Sequence, residues 1–241
     1  MQLAAVRGDI AANVGRHLGF IELAASQGAD LVLFPELSLT GYEPTLAGEL
    51  ATDADDARLD VLQAVADARG IIVGAGLPTR STSGPQISLI VFRPHEARSK
   101  YSKQRLHADE LPWFSSGDEQ LVIDAAGHRL APAICFESLQ PGHAAAVADL
   151  GADTYLASVA KPYRGVAAAH QHYPAIARRH SMIVLMANSV GPCDDFVAVG
   201  RSAAWTARGQ LAAELSEHDE GLVLFDTTTG EALALARLAV E

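Results

Sequence analysis

The sequence predicts an α/β fold, and two observations carry that prediction. Apolar runs of strand length alternate with longer segments of helical periodicity. Some of those runs are continuous rather than alternating, as in "GADLVLFPE" at residues 28–36, which is the pattern of a strand buried on both faces. The chain has 241 residues, 49% hydrophobic and 20% charged, enough to build a sizeable core.

Strands are expected at residues 3–6, 31–34, 71–77, 88–92, 130–134, 154–158, 183–187 and 222–225. Helices are expected at 10–27, 59–69, 143–150 and 166–180. In the first helix Val14, Leu18, Ile21 and Ala25 recur at helical spacing, and Gly28 stands where a C-cap glycine belongs. Pro174 should kink the last helix or mark its true start. "PTRSTSGPQ" reads as a hairpin loop. With no linker, repeat or low-complexity tract, residues 1–241 are expected to form one domain. Residues 93–118 are polar and aromatic with few regular apolar positions, and a long irregular segment in a compact domain is more often functional than accidental.

Composition excludes several functions. With 18 basic against 29 acidic residues the net charge is -11, and no basic cluster offers a surface to nucleic acid. No apolar run reaches membrane-spanning length, and Arg7, Asp9 and Arg16 interrupt any signal-peptide core. Two cysteines make no disulfide framework, so a reducing, cytoplasmic setting is the default expectation, with a Cys135–Cys193 bridge left open.

Some motifs fail. "GAGLPT" at 74–79 lacks the third glycine of a dinucleotide loop, and Pro78 stands where its helix would start. His170 and His172 are two apart on a helix and do not face one another, so no metal site is expected.

One constellation survives. Glu36 and Cys135 each follow an apolar strand directly, at the carboxyl ends where α/β folds gather ligands. Lys103 and Glu110 lie in the irregular segment between them. A thiol is a weak nucleophile until a base takes its proton, which Glu36 can do. Attack on a carbonyl creates an oxyanion, which Lys103 and the Phe136 N–H can stabilise. Glu110 can hold the lysine or relay a proton. Singly, each residue has a plain reading: a small buried thiol, a turn acid, a solvated lysine.

"LVLFPELSLTGYEP", "YSKQRLHADELPWFSSGD" and "ICFESLQPGH", in that order, resemble the nitrilase superfamily of carbon–nitrogen hydrolases. The resemblance continues weakly to "LMANSVGP" and "GRSAAWTARGQL". It implies a four-layer α-β-β-α sandwich, a Glu36–Lys103–Cys135 triad, Glu110 as an additional active-site glutamate, and no cofactor. It also implies a homodimer, which the apolar C-terminal "EALALARLAV" fits. Departures from the family pattern are Glu137, where many amidases have Asp, and Arg179 and His180, where many relatives read Glu-Asn.

The function expected is hydrolysis of a small-molecule amide through a Cys135 thioester. Tyr42, Trp113, Phe114 and Glu137 join Phe136 as expected pocket residues, with core packing the competing reading for the aromatics. Nitrile hydrolysis by the same triad and an idle binding homodimer are the alternatives. The hydrolase reading predicts rapid alkylation of Cys135 at neutral pH, and a binding module predicts an inert thiol.

Overall fold

Asp9 opens the first helix. Its carboxylate accepts the Ala12 N–H at 2.9 Å, satisfying one of the amides that a helix start leaves without an acceptor. Helix α1 (Ile10–Ser26) then buries Ile10, Val14, Phe20, Ile21 and Ala24 along one face. The computed structural model describes residues 1–236. A one-turn α2 (Ala47–Leu50) precedes α3 (Asp60–Arg69), which lies on the same layer as α1.

These helices cover a four-stranded sheet in the order β1–β2–β3–β4, formed by Leu31–Leu33, Ile72–Thr79, Gln86–Phe92 and Ser99–Ser102. β1 and β2 run parallel, and the remaining pairs antiparallel. The second sheet has six strands, ordered β12–β11–β8–β7–β6–β5. They span Ile123–Ala125 (β5), His128–Ile134 (β6), Thr154–Val159 (β7), Ile183–Asn188 (β8), Ala203–Trp205 (β11) and Leu211–Glu214 (β12). Its centre, β6–β7–β8, is parallel. Two hairpins complete the chain: β9 (Val190–Cys193) with β10 (Phe196–Val199), and β13 (Gly221–Phe225) with β14 (Ala232–Ala236).

Alternation of side chains along the strands reveals the stacking. On β3, Ile90 and Phe92 pack toward α1 and α3, while Ile87, Leu89 and Val91 turn to the second sheet. On β7, Tyr155, Ala157 and Val159 pack with α4 (Pro141–Asp149) and α5 (Tyr163–His180). Leu156 of the same strand meets Leu33, Leu89 and Ile134 between the sheets. Helices, sheet, sheet and helices therefore form the α-β-β-α sandwich that the resemblance implied, with three apolar cores between four layers.

Several expectations change. Residues 3–6 are not a strand. Gln2 and Leu3 make single bridges to Gly221 and Ser189, but the Ala4 and Val6 amides are taken by the side chains of Glu220 and Asn13. The "GAGLPT" stretch lies inside β2, every residue of it buried. Residues 93–118 are less irregular than expected, since they contain β4 and a 3-10 turn at Ala108–Glu110. α5 begins at Tyr163, after Pro162, and continues through Pro174, because Val166, Ala169, Tyr173, Ile176 and Ala177 bury one face of it. The hairpin expected at "PTRSTSGPQ" joins β2 to β3, with Thr79 opposite Gln86. Both cysteines are free. Among the described residues no helix is long and apolar enough to cross a membrane. Of the apolar segment 231–240 behind the dimer expectation, β14 is described, and 237–240 lie outside the described residues.

Candidate active site

Three strand ends deliver the candidate side chains. Past β1 the chain turns at once: Phe34 N–H still bonds Gly74 O at 2.8 Å, and Leu37 adopts a left-handed φ of 52°. Past β4, Lys103 is pinned by its own backbone, donating N–H to Ile87 O and accepting from Gly117 N–H, both at 2.8 Å. Past β6, Cys135 donates N–H to Ser158 O at 3.0 Å and takes a φ of 46°. A left-handed non-glycine costs about 1–3 kcal/mol and persists only where its surroundings hold it. Here the carbonyl of Cys135 accepts Ser138 Oγ at 2.6 Å and Ser138 N–H at 3.2 Å, locking the elbow.

Glu36, Lys103 and Glu110 converge in the interior. Lys103 Nζ donates to Glu36 Oε1 at 2.7 Å and to Glu110 Oε1 at 2.6 Å, with all three side chains fully buried. Glu110 also accepts the Tyr42 hydroxyl at 2.9 Å and, through Oε2, the His107 N–H at 2.7 Å. Burial alone would lower the pKa of Lys103, but Glu36, Cys135 and Glu110 outweigh it and hold the ammonium above its ordinary value. Glu36 is pushed above the usual carboxylate range by burial, with Glu110 adding to the rise and Lys103 opposing it. Its second oxygen, Oε2, is buried and has no hydrogen-bond partner. An acid whose charged form is disfavoured in this way holds a proton more readily than a free carboxylate does, as a group that takes and returns one must.

Cys135 is half-buried, the most open of the cluster. Burial, then the Glu36 charge, push its thiol up to about 11. A thiol held there needs a base before it reacts, and the alkylation expected from sequence reads out whether it has one. Transfer of that proton to Glu36 removes the very charge that opposes the thiolate, so the two groups titrate as a pair. Phe136 starts the 3-10 turn Glu137–Leu139, and its N–H has no acceptor within that turn.

Other expected pocket residues take different places. Glu137 is fully buried, and both of its oxygens are occupied: Oε1 by Tyr101 OH (2.7 Å) and Ile134 N–H (2.8 Å), Oε2 by Gln104 N–H (2.7 Å) and Arg105 N–H (3.2 Å). It ties the Lys103 loop to the Cys135 elbow and has no lone pair left for substrate. Phe114 belongs to the core between the sheets, whereas Trp113 is largely exposed. Tyr42 touches the cluster through Glu110 and packs edge-on against Phe196. Arg179 and His180 are the last two residues of α5.

The sequence reading missed Lys161. It follows β7 as Cys135 follows β6, is 4% exposed, and brings Nζ to 3.6 Å from Cys135 Sγ and 3.4 Å from Cys135 O. The signal was available in "LASVAKP", another apolar strand that ends on a reactive side chain. Two cavities of about 380 Å³ each are lined by none of Glu36, Lys103 and Cys135. Among the described residues no group of three His, Cys, Asp or Glu side chains is arranged to hold a metal.

Fold and site together define an α-β-β-α sandwich with a thiol-centred cluster at its strand ends. The chain belongs to the carbon–nitrogen hydrolase family, whose profile matches residues 1–235. It is 30% identical over 223 residues to an (R)-stereoselective amidase of Pseudomonas sp., covering 89% of this chain and 78% of that one. It is 26% identical over 222 residues to the glutamine-dependent NAD(+) synthetase of Acinetobacter baylyi, covering 89% of this chain but spanning only 41% of the synthetase. Among solved structures, an amidase from Nesterenkonia sp. superposes with a TM-score of 0.83 at 27% identity, covering 90% of this chain and 85% of that one. A variant of that amidase carries acrylamide on its active-site cysteine.

Proposed function

We propose that the protein is an amidase that hydrolyses a small carboxamide through a thioester on Cys135. Glu36 takes the thiol proton, and the sulfur forms a bond to the amide carbon. Lys103 and the Phe136 N–H stabilise the oxyanion. Glu36 returns its proton to the nitrogen as the C–N bond breaks, leaving the acyl group on sulfur. Water then attacks the thioester carbon while Glu36 takes its proton. The C–S bond breaks, the acid leaves, and Glu36 restores the proton to Cys135.

The observation that carries this reading is the buried Glu36–Lys103–Glu110 cluster, with Glu36 close enough to interact with the thiol on the strained Cys135 elbow. A binding module gains nothing from burying two acids and a lysine, because desolvating such charges costs several kcal/mol per ion. Similarity to proteins named amidases supports the same reading. Enclosure of the cluster favours a small acyl group.

The test is ammonia release from a panel of small amides, ω-amides including glutamine, N-carbamoyl compounds and nitriles. Wild type should release ammonia from at least one amide, and Cys135→Ala should lower the rate by on the order of 10³-fold or more. Release that survives in Cys135→Ala, or none from any compound, would overturn the proposal.

A further inference from the structure

With Glu36 ionised, as a base must be before it takes the thiol proton, the charges of the cluster do not balance without Lys161. Glu36 and Glu110 carry two negative charges against the one on Lys103. Passing the thiol proton to Glu36 leaves the sum unchanged, one surplus negative charge in a buried site. An unpaired buried charge of this kind is strongly opposed. A second cation must stand near for the thiolate to persist.

Lys161 is placed for that role. Its backbone is fixed on both sides: its N–H donates to Asn188 Oδ1 at 2.8 Å, and its carbonyl accepts Val199 N–H at 3.2 Å and Asn188 Nδ2 at 3.3 Å. Its ammonium is buried, yet among the described residues no carboxylate pairs with it, and Cys135 supplies both of its contacts. Resting on the reading of Cys135 as nucleophile, we propose that Lys161 is a second catalytic cation, which holds the Cys135 thiolate and neutralises the site once Glu36 has taken the proton. Lys103 supports the oxyanion from the first sheet, and Lys161 supports the sulfur from the second. On deacylation the same ammonium eases departure of the sulfur from carbon, because it stabilises the thiolate that leaves.

The groups acting on Cys135 come from every side of the site: Glu36 behind β1, Lys103 behind β4, Glu110 on its turn, Lys161 behind β7, and the Tyr42 and Tyr173 hydroxyls nearby. On α5, His172 faces Lys161 and is held below its ordinary pKa by burial first and by that ammonium second. Lys161 is thus the one of these cations that answers no acid.

The measurement is the rate of iodoacetamide alkylation of Cys135 against pH, in a Cys193→Ser background so that one thiol is followed. Below the titration midpoint this rate tracks the thiolate fraction. Lys161→Met and Lys161→Gln should each slow alkylation about threefold at every pH between about 6 and 9, because a one-unit rise in thiol pKa cuts the thiolate about tenfold and makes it about threefold more nucleophilic. Lys161→Arg should restore most of the rate. In amide hydrolysis the neutral variants should lose kcat with little change in KM. Neutral variants that fold by circular dichroism and alkylate as fast as wild type, or faster, would reduce Lys161 to a cap on the Cys135 carbonyl and overturn the inference. The alkylation arm needs no substrate, so it can succeed or fail independently of the amidase reading.

Discussion

Glu137 spans two loops with one carboxylate, and that reach explains a residue the family pattern left unexplained. Its oxygens collect four donors from the β6 end, the Lys103 loop and Tyr101. Tyr101 in turn bonds His143 Nε2 at 2.9 Å, and His143 Nδ1 meets the Tyr155 hydroxyl at 2.8 Å, extending the network into the helical layer. Glu137→Gln would set an NH₂ group against the amides of Gln104 and Arg105. Two charge-assisted bonds lost in this way, at about 1.5–3 kcal/mol each, predict a stability loss of roughly 3 kcal/mol or more, read by urea denaturation. Activity should fall with it, because Gln104 and Arg105 adjoin Lys103. Unchanged stability with lost activity would instead give Glu137 a direct part in the chemistry.

Strand ends do the positioning at the scale of elements, and two glycines let them approach. A Cβ on Gly76 of β2 would stand 2.5 Å from Leu37 N and 3.0 Å from Pro35 O, the residues on either side of Glu36. A Cβ on Gly117 would stand 2.4 Å from Ser102 O, next to Lys103. Neither neighbour is a flexible side chain that can swing away. Gly76→Ala is therefore expected to displace the Glu36 turn and to cost about 1–3 kcal/mol by overpacking. Thermal unfolding should show the loss, and kcat should drop more than KM rises, since Glu36, the proposed base, moves while Cys135 stays. A Gly76→Ala enzyme with wild-type kcat would contradict this account of Gly76.

The whole molecule assembles the site by pressing two sheets together. Glu36 and Lys103 come from one sheet, Cys135 and Lys161 from the other, and Ser158 Oγ donates to Phe34 O at 2.8 Å across the boundary. The first sheet depends in turn on α1, where His17 lies buried between Asn13 O (2.7 Å) and Ser38 Oγ (2.9 Å) and stacks on Phe34 at 3.9 Å. Burial pushes His17 down to about 3, whereas in the unfolded chain it titrates near its model value of 6.5. Between those values the unfolded state holds a proton the folded state refuses, so stability is complete above about pH 6.5 and falls as pH drops, by about 1.4 kcal/mol per unit from this group. Urea midpoints measured from neutral pH down to about 4 should decline more steeply for wild type than for His17→Gln. Equal slopes would remove His17 from the account. Because the two sheets share the site, loss of packing at low pH should abolish activity in the same transition.

By itself the sequence determined the alternation of strands and helices, the candidates Glu36, Lys103 and Cys135 through their ordered motifs, with Glu36 and Cys135 at strand ends, and the acidic net charge. These are local matters: periodicity reports burial, and a motif reports the side chains that a backbone turn presents. Tertiary structure alone decided the rest. Short strands such as β4 and β5 carry too few apolar positions to announce themselves, and the pairing that makes them strands comes from partners distant in sequence. Residues 3–6 look like a strand but are claimed by side chains of Asn13 and Glu220, which no window of sequence reveals. Glu137 left the pocket expected for it, and Lys161 entered the site unannounced, for the same reason. A carboxylate beside Cys135 turned out to be spent on backbone amides, and a lysine 26 residues away arrived at the sulfur because β6 and β7 are parallel neighbours. Parallel pairing aligns their carboxyl ends, and that alignment is a property of the folded sheet.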